Sequence, residues 1–189
     1  MKILLIDTTT KDLVVALVTE GEIVNCTKPK LGTRHSESLC LTVEELLATA
    51  KVSLADFDAY ACAIGPGSFT GIRIGVSTVK GYNFACPKKL LALNTLEAIS
   101  LSVNCGSKGS AIIDAGNGYY FADYNNGIEP CLISYDDPRA QSAGSGANAT
   151  DYFDGLVALA KRKFSSGAFD NVLEPLYIRK SQAEELKKA

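Results

Sequence analysis

The order of its hydrophobic runs constrains this chain more than any single motif. Residues 2 to 9, 13 to 19 and 22 to 28 ("KILLIDTT", "LVVALVT", "EIVNCTK") are rich in Ile, Val, Leu and Thr. Only Lys11-Asp12 and Glu20-Gly21 interrupt them, breaks short enough for hairpins, so they read as an antiparallel meander. Residues 36 to 50 follow with Leu39, Val43, Leu46, Leu47 and Ala50 on one face of a 3.6-residue period. Ser36 or Thr33 is the predicted cap, and Glu37 suits the positive end of the helix. A buried strand "AYACAI" (59 to 64), a helix to about Phe84, a strand "KLLALN" (89 to 94) and a helix from Thr95 complete the first part. The order β-β-β-α-β-α-β-α predicts a mixed five-stranded sheet with helices packed on it. It does not predict a Rossmann domain, which begins with a parallel crossover.

A polar, glycine-rich break, "NCGSKGS" (104 to 110), opens a second set. "AIIDAG", "YYFADYN" and "EPCLISY" are strand-like and "ATDYFDGLVALAKRKF" is helical. "IIDAGNG" repeats the strand, Asp and tight turn of "LLIDTTTKD", which predicts a duplicated two-lobe plan: residues 1–103, then a reduced lobe over 104–189, its last helix packing back on the first.

The bulk numbers exclude several classes. A net charge of -2 and a pI of about 5.5 do not fit a protein that gains affinity mainly by neutralising phosphates. The first apolar run is four residues long, too short for a signal-peptide core or a membrane span, so the expected place is the cytoplasm without membrane contact. The six cysteines stand apart with no CxxC pair and read as reduced, half-buried small hydrophobes. The basic cluster Lys161, Arg162 and Lys163 reads as a solvated last helical turn.

The segment "AIGPGSFTGIRIG" (63 to 75) invites a catalytic reading and fails each test. A Walker-type loop needs Gly, four residues, then Gly-Lys and a hydroxyl; neither glycine frame supplies the lysine, and Pro66 lacks an amide donor. A nucleophile elbow needs glycines two positions either side of the serine, where Ser68 has Pro66 and Thr70. A paired-histidine metal motif is impossible with one histidine; His35 reads as a surface residue at a helix start, and Leu39 stands four places on. What remains is the helix, where Gly71, Gly75 and Gly81 together cost about 2 to 3 kcal/mol relative to alanine. Phe69, Ile72, Val76 and Val79 form an apolar stripe toward the sheet. Gly71, Gly75, Thr78 and Tyr82 form a small-residue stripe that admits a second helix, either residues 36 to 50 or a partner's. The first hairpin, Asp7, Thr8 and Thr9, has the outline of a phosphate loop but no glycine before Gly21, so it reads as a degenerate one. No catalytic residue, metal ligand or cofactor is predicted.

"ILLIDTT", "RHSE" (34 to 37), "GPGSFTGIRIG" (65 to 75) and "EPLYIRKSQAE" (174 to 184) together resemble the TsaB (YeaZ) family. The resemblance implies an α/β actin-like, Hsp70-like (ASKHA) two-lobe fold. It implies a non-catalytic subunit that pairs with TsaD, the enzyme placing a threonylcarbamoyl group on N6 of adenosine 37 in tRNAs reading ANN codons. TsaD ligates a metal through paired histidines on its first helix, where this chain offers His35 and then Leu39. The implied partner surface is formed by residues about 36–50 and 70–84, presenting Glu37, Leu41, Glu44, Gly71, Arg73, Gly75, Thr78 and Tyr82. Further implied partners are the ATPase TsaE at the junction with TsaD, a second copy when TsaD is absent, and tRNA only through the complex. The turn at 114–118 departs from the family, with Gly116 where an arginine is usual. The competing reading is a stand-alone enzyme of the same fold, a phosphotransferase or a peptidase; a self-associating structural protein is a third.

Overall fold

The computed structural model describes residues 1–31, 34–104 and 109–178. Two expected features therefore fall outside the described residues, Thr33 as a cap and the end of the "EPLYIRKSQAE" segment; Cys105 lies outside them as well. The first sheet is built from β1 (Lys2–Asp7), β2 (Val14–Thr19), β3 (Ile23–Asn25), β4 (Ala59–Gly65) and β5 (Lys89–Asn94), in the order β3-β2-β1-β4-β5. β1 and β2 are antiparallel, as are β2 and β3, while β4 and β5 run parallel to β1. Each parallel pairing requires a crossover, supplied by α1 (His35–Ala50) and α2 (Phe69–Ala85). The mixed five-stranded sheet expected from the order of runs is the one formed.

Apart from the edge strand β3, the strands are largely buried on both faces, and their side chains divide by residue parity. Ile3, Leu5, Val14, Ala16, Val18, Ala59, Ala61 and Ala63 face α3 (Thr95–Val103) and α4 (Phe153–Ser166) in one core. Leu4, Ile6, Leu13, Val15, Leu17, Tyr60 and Cys62 face α1 and α2 in another, with Leu39, Val43, Leu46, Ile72, Val76 and Val79. That alternation is the period-2 pattern of a strand covered on both sides.

The second sheet contains β6 (Ser110–Asp114), β7 (Tyr119–Asp123), β8 (Ile128–Ile133) and β9 (Gly144–Ser145), ordered β8-β7-β6-β9. Two antiparallel pairings followed by a parallel one repeat the arrangement of β3-β2-β1-β4. Between the sheets α3 and α4 pack closely: a Cβ added to Gly155 would lie 1.9 Å from the Ala98 carbonyl oxygen. This α4 core includes residues of the first sheet, so the last described helix covers that sheet as well as α3.

Three local readings are corrected. His35 is 4% exposed and its Nε2 donates to the Asp12 carbonyl at 3.0 Å, so it is a satisfied interior side chain where a surface one was expected. α1 has no side-chain cap, since Ser36 lies inside it behind Arg34. The basic cluster is used internally: Lys163 bonds the Ala92 carbonyl and Asp170, both at 2.9 Å, and Lys161 reaches the Glu20 carbonyl at 3.2 Å. These contacts tie the end of α4 to the first sheet.

Gly81 is exposed in α2 with no heavy atom within 4 Å of an added Cβ. Gly81→Ala is expected to stabilise the protein by about 0.5 to 1 kcal/mol, raising Tm by roughly 1 to 4 °C for a chain of this size. A thermal melt followed by circular dichroism measures it directly.

Candidate functional site

The hairpin between β1 and β2 carries the residues that outline a phosphate loop, and their side chains are hydrogen-bonded to other parts of the chain. Asp7 is fully buried. Its Oδ1 accepts the Thr9 amide at 2.6 Å and its Oδ2 accepts the Tyr152 hydroxyl at 3.0 Å. The Thr9 hydroxyl lies 3.2 Å from the same tyrosine oxygen. Thr8 is turned the other way, donating its hydroxyl to the Gly71 carbonyl at 2.7 Å, and the Ser68 amide donates to the Thr9 carbonyl at 2.7 Å. The hairpin is therefore held on one side by the start of α2 and on the other by Tyr152.

Tyr152 ends a single 3-10 turn, Ala149–Tyr152, whose first residues continue the clamp. The Ala149 amide donates to the Thr10 hydroxyl at 2.9 Å. The Thr150 amide and hydroxyl donate to Asp12 Oδ2 at 3.0 and 2.6 Å, and the Lys30 amide donates to Asp12 Oδ1 at 2.8 Å. The side chains of Asp7, Thr8, Thr9, Thr10 and Asp12 are thus all hydrogen-bonded within the chain. Electrostatics separates the two carboxylates. Burial pushes the Asp7 carboxyl up from its ordinary value, against the lowering effect of the Thr9 and Tyr152 hydrogen bonds. Burial acts on Asp12 in the same direction, but the bonds from Lys30 and Thr150 outweigh it and hold that carboxyl below the ordinary value. Burial likewise keeps the Tyr152 phenol protonated.

Sequence reasoning found Asp7, Thr8 and Thr9 but missed Asp12, Thr150 and Tyr152. The available signal was the pair "TTKD" and "NATD", polar residues crowded beside buried runs, which a one-dimensional pattern cannot show to meet. The small-residue stripe is also corrected. Gly71 and Gly75 face the hairpin: added Cβ atoms would lie 1.9 Å from the Thr8 carbonyl oxygen and 2.5 Å from the Thr8 hydroxyl. Their cost in helix propensity is offset by this approach of α2 to β1, so they are interior packing residues. The hairpin meets the glycines of the stripe, while Tyr82 at its far end meets α1 through Cys40.

The rest of the predicted surface is displayed on the outer side of α1 and α2. Glu37, Leu41 and Glu44 are exposed on α1, Leu41 at 65%; Arg73 is exposed and Thr78 and Tyr82 are half-buried on α2. Tyr82 hydrogen-bonds Cys40 across the pair, with Glu44 near it. Between the helices runs an open groove of about 460 Å³, lined by Leu39, Cys40, Phe69, Arg73, Ile74 and Thr78 among others. Near its end Tyr177 stacks 4.9 Å from Phe69 and accepts a hydrogen bond from Arg73 Nε at 2.9 Å. Tyr177 arrives there because Leu173 is fully buried in the core of α1 and α2 and the Leu176 amide donates to the Ile64 carbonyl at 2.8 Å. No group of three or more His, Cys, Asp or Glu side chains able to hold a metal occurs among the described residues.

Comparison with known proteins decides the family. The family model described as TsaD, tRNA N6-adenosine threonylcarbamoyltransferase, matches residues 27–131. TsaB of Escherichia coli strain K12 is 35% identical over 135 residues, 68% of this chain and 58% of that protein. The chain belongs to the TsaB (YeaZ) family. A TsaD-type enzyme, the tRNA N6-adenosine threonylcarbamoyltransferase of Jannaschia sp. strain CCS1, is 40% identical over 75 residues, 39% of this chain and 21% of that one. The match thus spans less than two thirds of the curated relatives' own length. The solved structure of YeaZ from Pseudomonas aeruginosa superposes with a TM-score of 0.75 at 23% identity, covering 93% of this chain and 99% of that one. The fold is the actin-like, Hsp70-like (ASKHA) one implied by the sequence motifs. None of the described helices is long and apolar enough to cross a membrane.

Proposed function

We propose that this chain is a cytoplasmic, non-catalytic scaffold subunit. It pairs with TsaD through α1 and α2 and supports transfer of the threonylcarbamoyl group to N6 of adenosine 37 in tRNAs reading ANN codons. The observation that carries the reading is the occupied hairpin. Asp7 and Thr9 bond Tyr152, and Thr8 bonds α2, where a phosphotransferase of this fold would leave room for a nucleotide. The stand-alone enzyme is disfavoured for the same reason. The exposed Leu41 on α1 and Phe84 on α2, with a groove running between the two helices, support a docking role for this pair, since large apolar side chains are anchors where a partner covers them. The two-lobe reading, residues 1–103 and 104–189, draws support from the repeated strand order.

In this reading TsaE binds at the junction with TsaD, tRNA is contacted through the complex, and the chain pairs with itself when TsaD is absent. The test is reconstitution. The purified chain alone is expected to show no ATP turnover, proteolysis or tRNA modification, and to restore modification when mixed with its TsaD, TsaE and the source of threonylcarbamoyl-adenylate. Leu41→Glu is expected to weaken co-purification with TsaD at least about tenfold while leaving the circular dichroism spectrum unchanged. Robust ATPase activity of the isolated chain, or unaltered binding by the Leu41 variant together with unaltered modification in the chain's absence, overturns the proposal.

A further inference from the structure

Arg73, exposed on α2, is held by contacts on two sides. Its guanidinium carbon lies 3.8 Å from the centroid of the Phe69 ring and 5.7 Å from that of Tyr177. Its Nε is bonded to the Tyr177 hydroxyl at 2.9 Å. Tyr177 is itself anchored through Leu173 and Leu176. This arrangement consumes Nε and one aromatic-facing side of the guanidinium. The terminal amino groups have no carboxylate partner among the described residues. An arginine immobilised in this way has lost its side-chain entropy before any ligand arrives, which is the costly part of making a charged contact.

We infer that Arg73 is the specificity anchor of this face and receives a single carboxylate from an amphipathic helix of the partner, seated in the groove between α1 and α2. The fork of terminal amino groups suits the two oxygens of an Asp or Glu side chain, and Leu39, Phe69 and Ile74 supply an apolar bed around it. Charge layout argues for one carboxylate over a polyanion. Glu37 and Glu44 are exposed on α1, and the chain carries a net charge of -2, so a phosphate backbone approaching this face would meet repulsion from α1. A helix presenting an acid to Arg73 and a base to the exposed glutamates of α1 matches both, which sets register and orientation as well as affinity.

The inference rests on the pairing with TsaD proposed above, and titration of TsaD against variants of the full chain separates the two. Arg73→Glu is expected to weaken binding about 100-fold or more. Arg73→Lys should lose about tenfold, because a point charge replaces a fork. Tyr177→Phe should lose a few fold by freeing the guanidinium, each variant keeping the parent circular dichroism spectrum. One Asp or Glu of TsaD changed to Lys is expected to restore binding to the Arg73→Glu chain. If both Arg73 variants bind like the parent while Leu41→Glu does not, the pairing stands and the anchor is wrong. If the parent chain forms no complex with TsaD, both fall. If Arg73→Glu leaves TsaD binding intact but abolishes binding of a tRNA anticodon stem-loop to the isolated chain, the ligand is phosphate and the inference is overturned.

Discussion

Gly71→Ala is expected to lower stability by about 3 kcal/mol or more, and Tm by roughly 6 to 12 °C, although alanine is the better helix former. The sign is decided by comparing two magnitudes. Replacing glycine inside a helix gains about 1 kcal/mol. Here, however, the new methyl would sit 1.9 Å from the Thr8 carbonyl oxygen, an atom of the backbone in a fully buried strand end that cannot swing aside. α2 must then lift from the hairpin. That movement breaks the Thr8 hydroxyl bond to the Gly71 carbonyl and the Ser68 amide bond to Thr9. Each lost bond leaves a buried polar group unpaired at about 1 to 3 kcal/mol. Urea denaturation compares Gly71→Ala with Gly81→Ala, the same change in the same helix with the opposite expected sign. Gly75→Leu belongs with Gly71, since its side chain would start 2.5 Å from the Thr8 hydroxyl. A loss of TsaD binding by that variant reports damage to the fold, so Leu41 and Arg73 are the positions that interrogate the surface.

The contrast between these glycines shows what the sequence could and could not reveal. Strand and helix existence followed from periodicity: the runs at 2 to 9 and 13 to 19 became β1 and β2, and α2 spans Phe69–Ala85 against a predicted 70 to 84. Both are signals carried by neighbours in the chain. The apolar stripe Ile72, Val76 and Val79 was legible in the same way and is buried as expected. The glycine stripe was legible as an anomaly, but its partner was not, because periodicity gives the face and not what lies across from it. His35 shows the same limit: lone and polar, it reads as surface until Asp12 supplies a carbonyl from 23 residues away. Tyr152 lies 145 residues from Asp7 and sits within a stretch read as continuous helix, where it instead ends a 3-10 turn preceding α4. Contacts of such separation are products of topology, and the duplicated "LLIDTTTKD" and "IIDAGNG" turns were the only hint of it.

Tyr152 carries the second large expected effect. Tyr152→Ala removes a fully buried ring that lies against Gly146 in the core shared with α3 and α4 and is expected to cost about 3 to 5 kcal/mol, detaching the 149–152 turn from the hairpin. Tyr152→Phe keeps the ring and deletes the donor to Asp7, for about 1 to 3 kcal/mol. The pH dependence of that smaller loss tests the electrostatics. Asp7 is raised above its ordinary value of 3.8, so the native state holds a proton there that the unfolded chain has released. Stability contributed by Asp7 is therefore greatest at acid pH and declines as pH rises from the ordinary value through the raised one. Asp12, lowered in the native state, acts in the opposite sense: its contribution is present at neutral pH and is lost as pH falls through its depressed value. Removing the tyrosine donor exposes the Asp7 carboxylate to burial without compensation, so the Tyr152→Phe deficit should grow from acid to neutral pH. In Asp7→Asn, which can accept from Thr9 and donate to Tyr152 without a charge, the decline with rising pH should vanish while the acid-side loss due to Asp12 remains. Urea midpoints from about pH 2 to 8 for the parent and both variants check this. A Tyr152→Phe deficit independent of pH would show that Asp7 is neutral throughout, and that the contact between the hairpin and the 149–152 turn is a hydrogen bond between two uncharged groups.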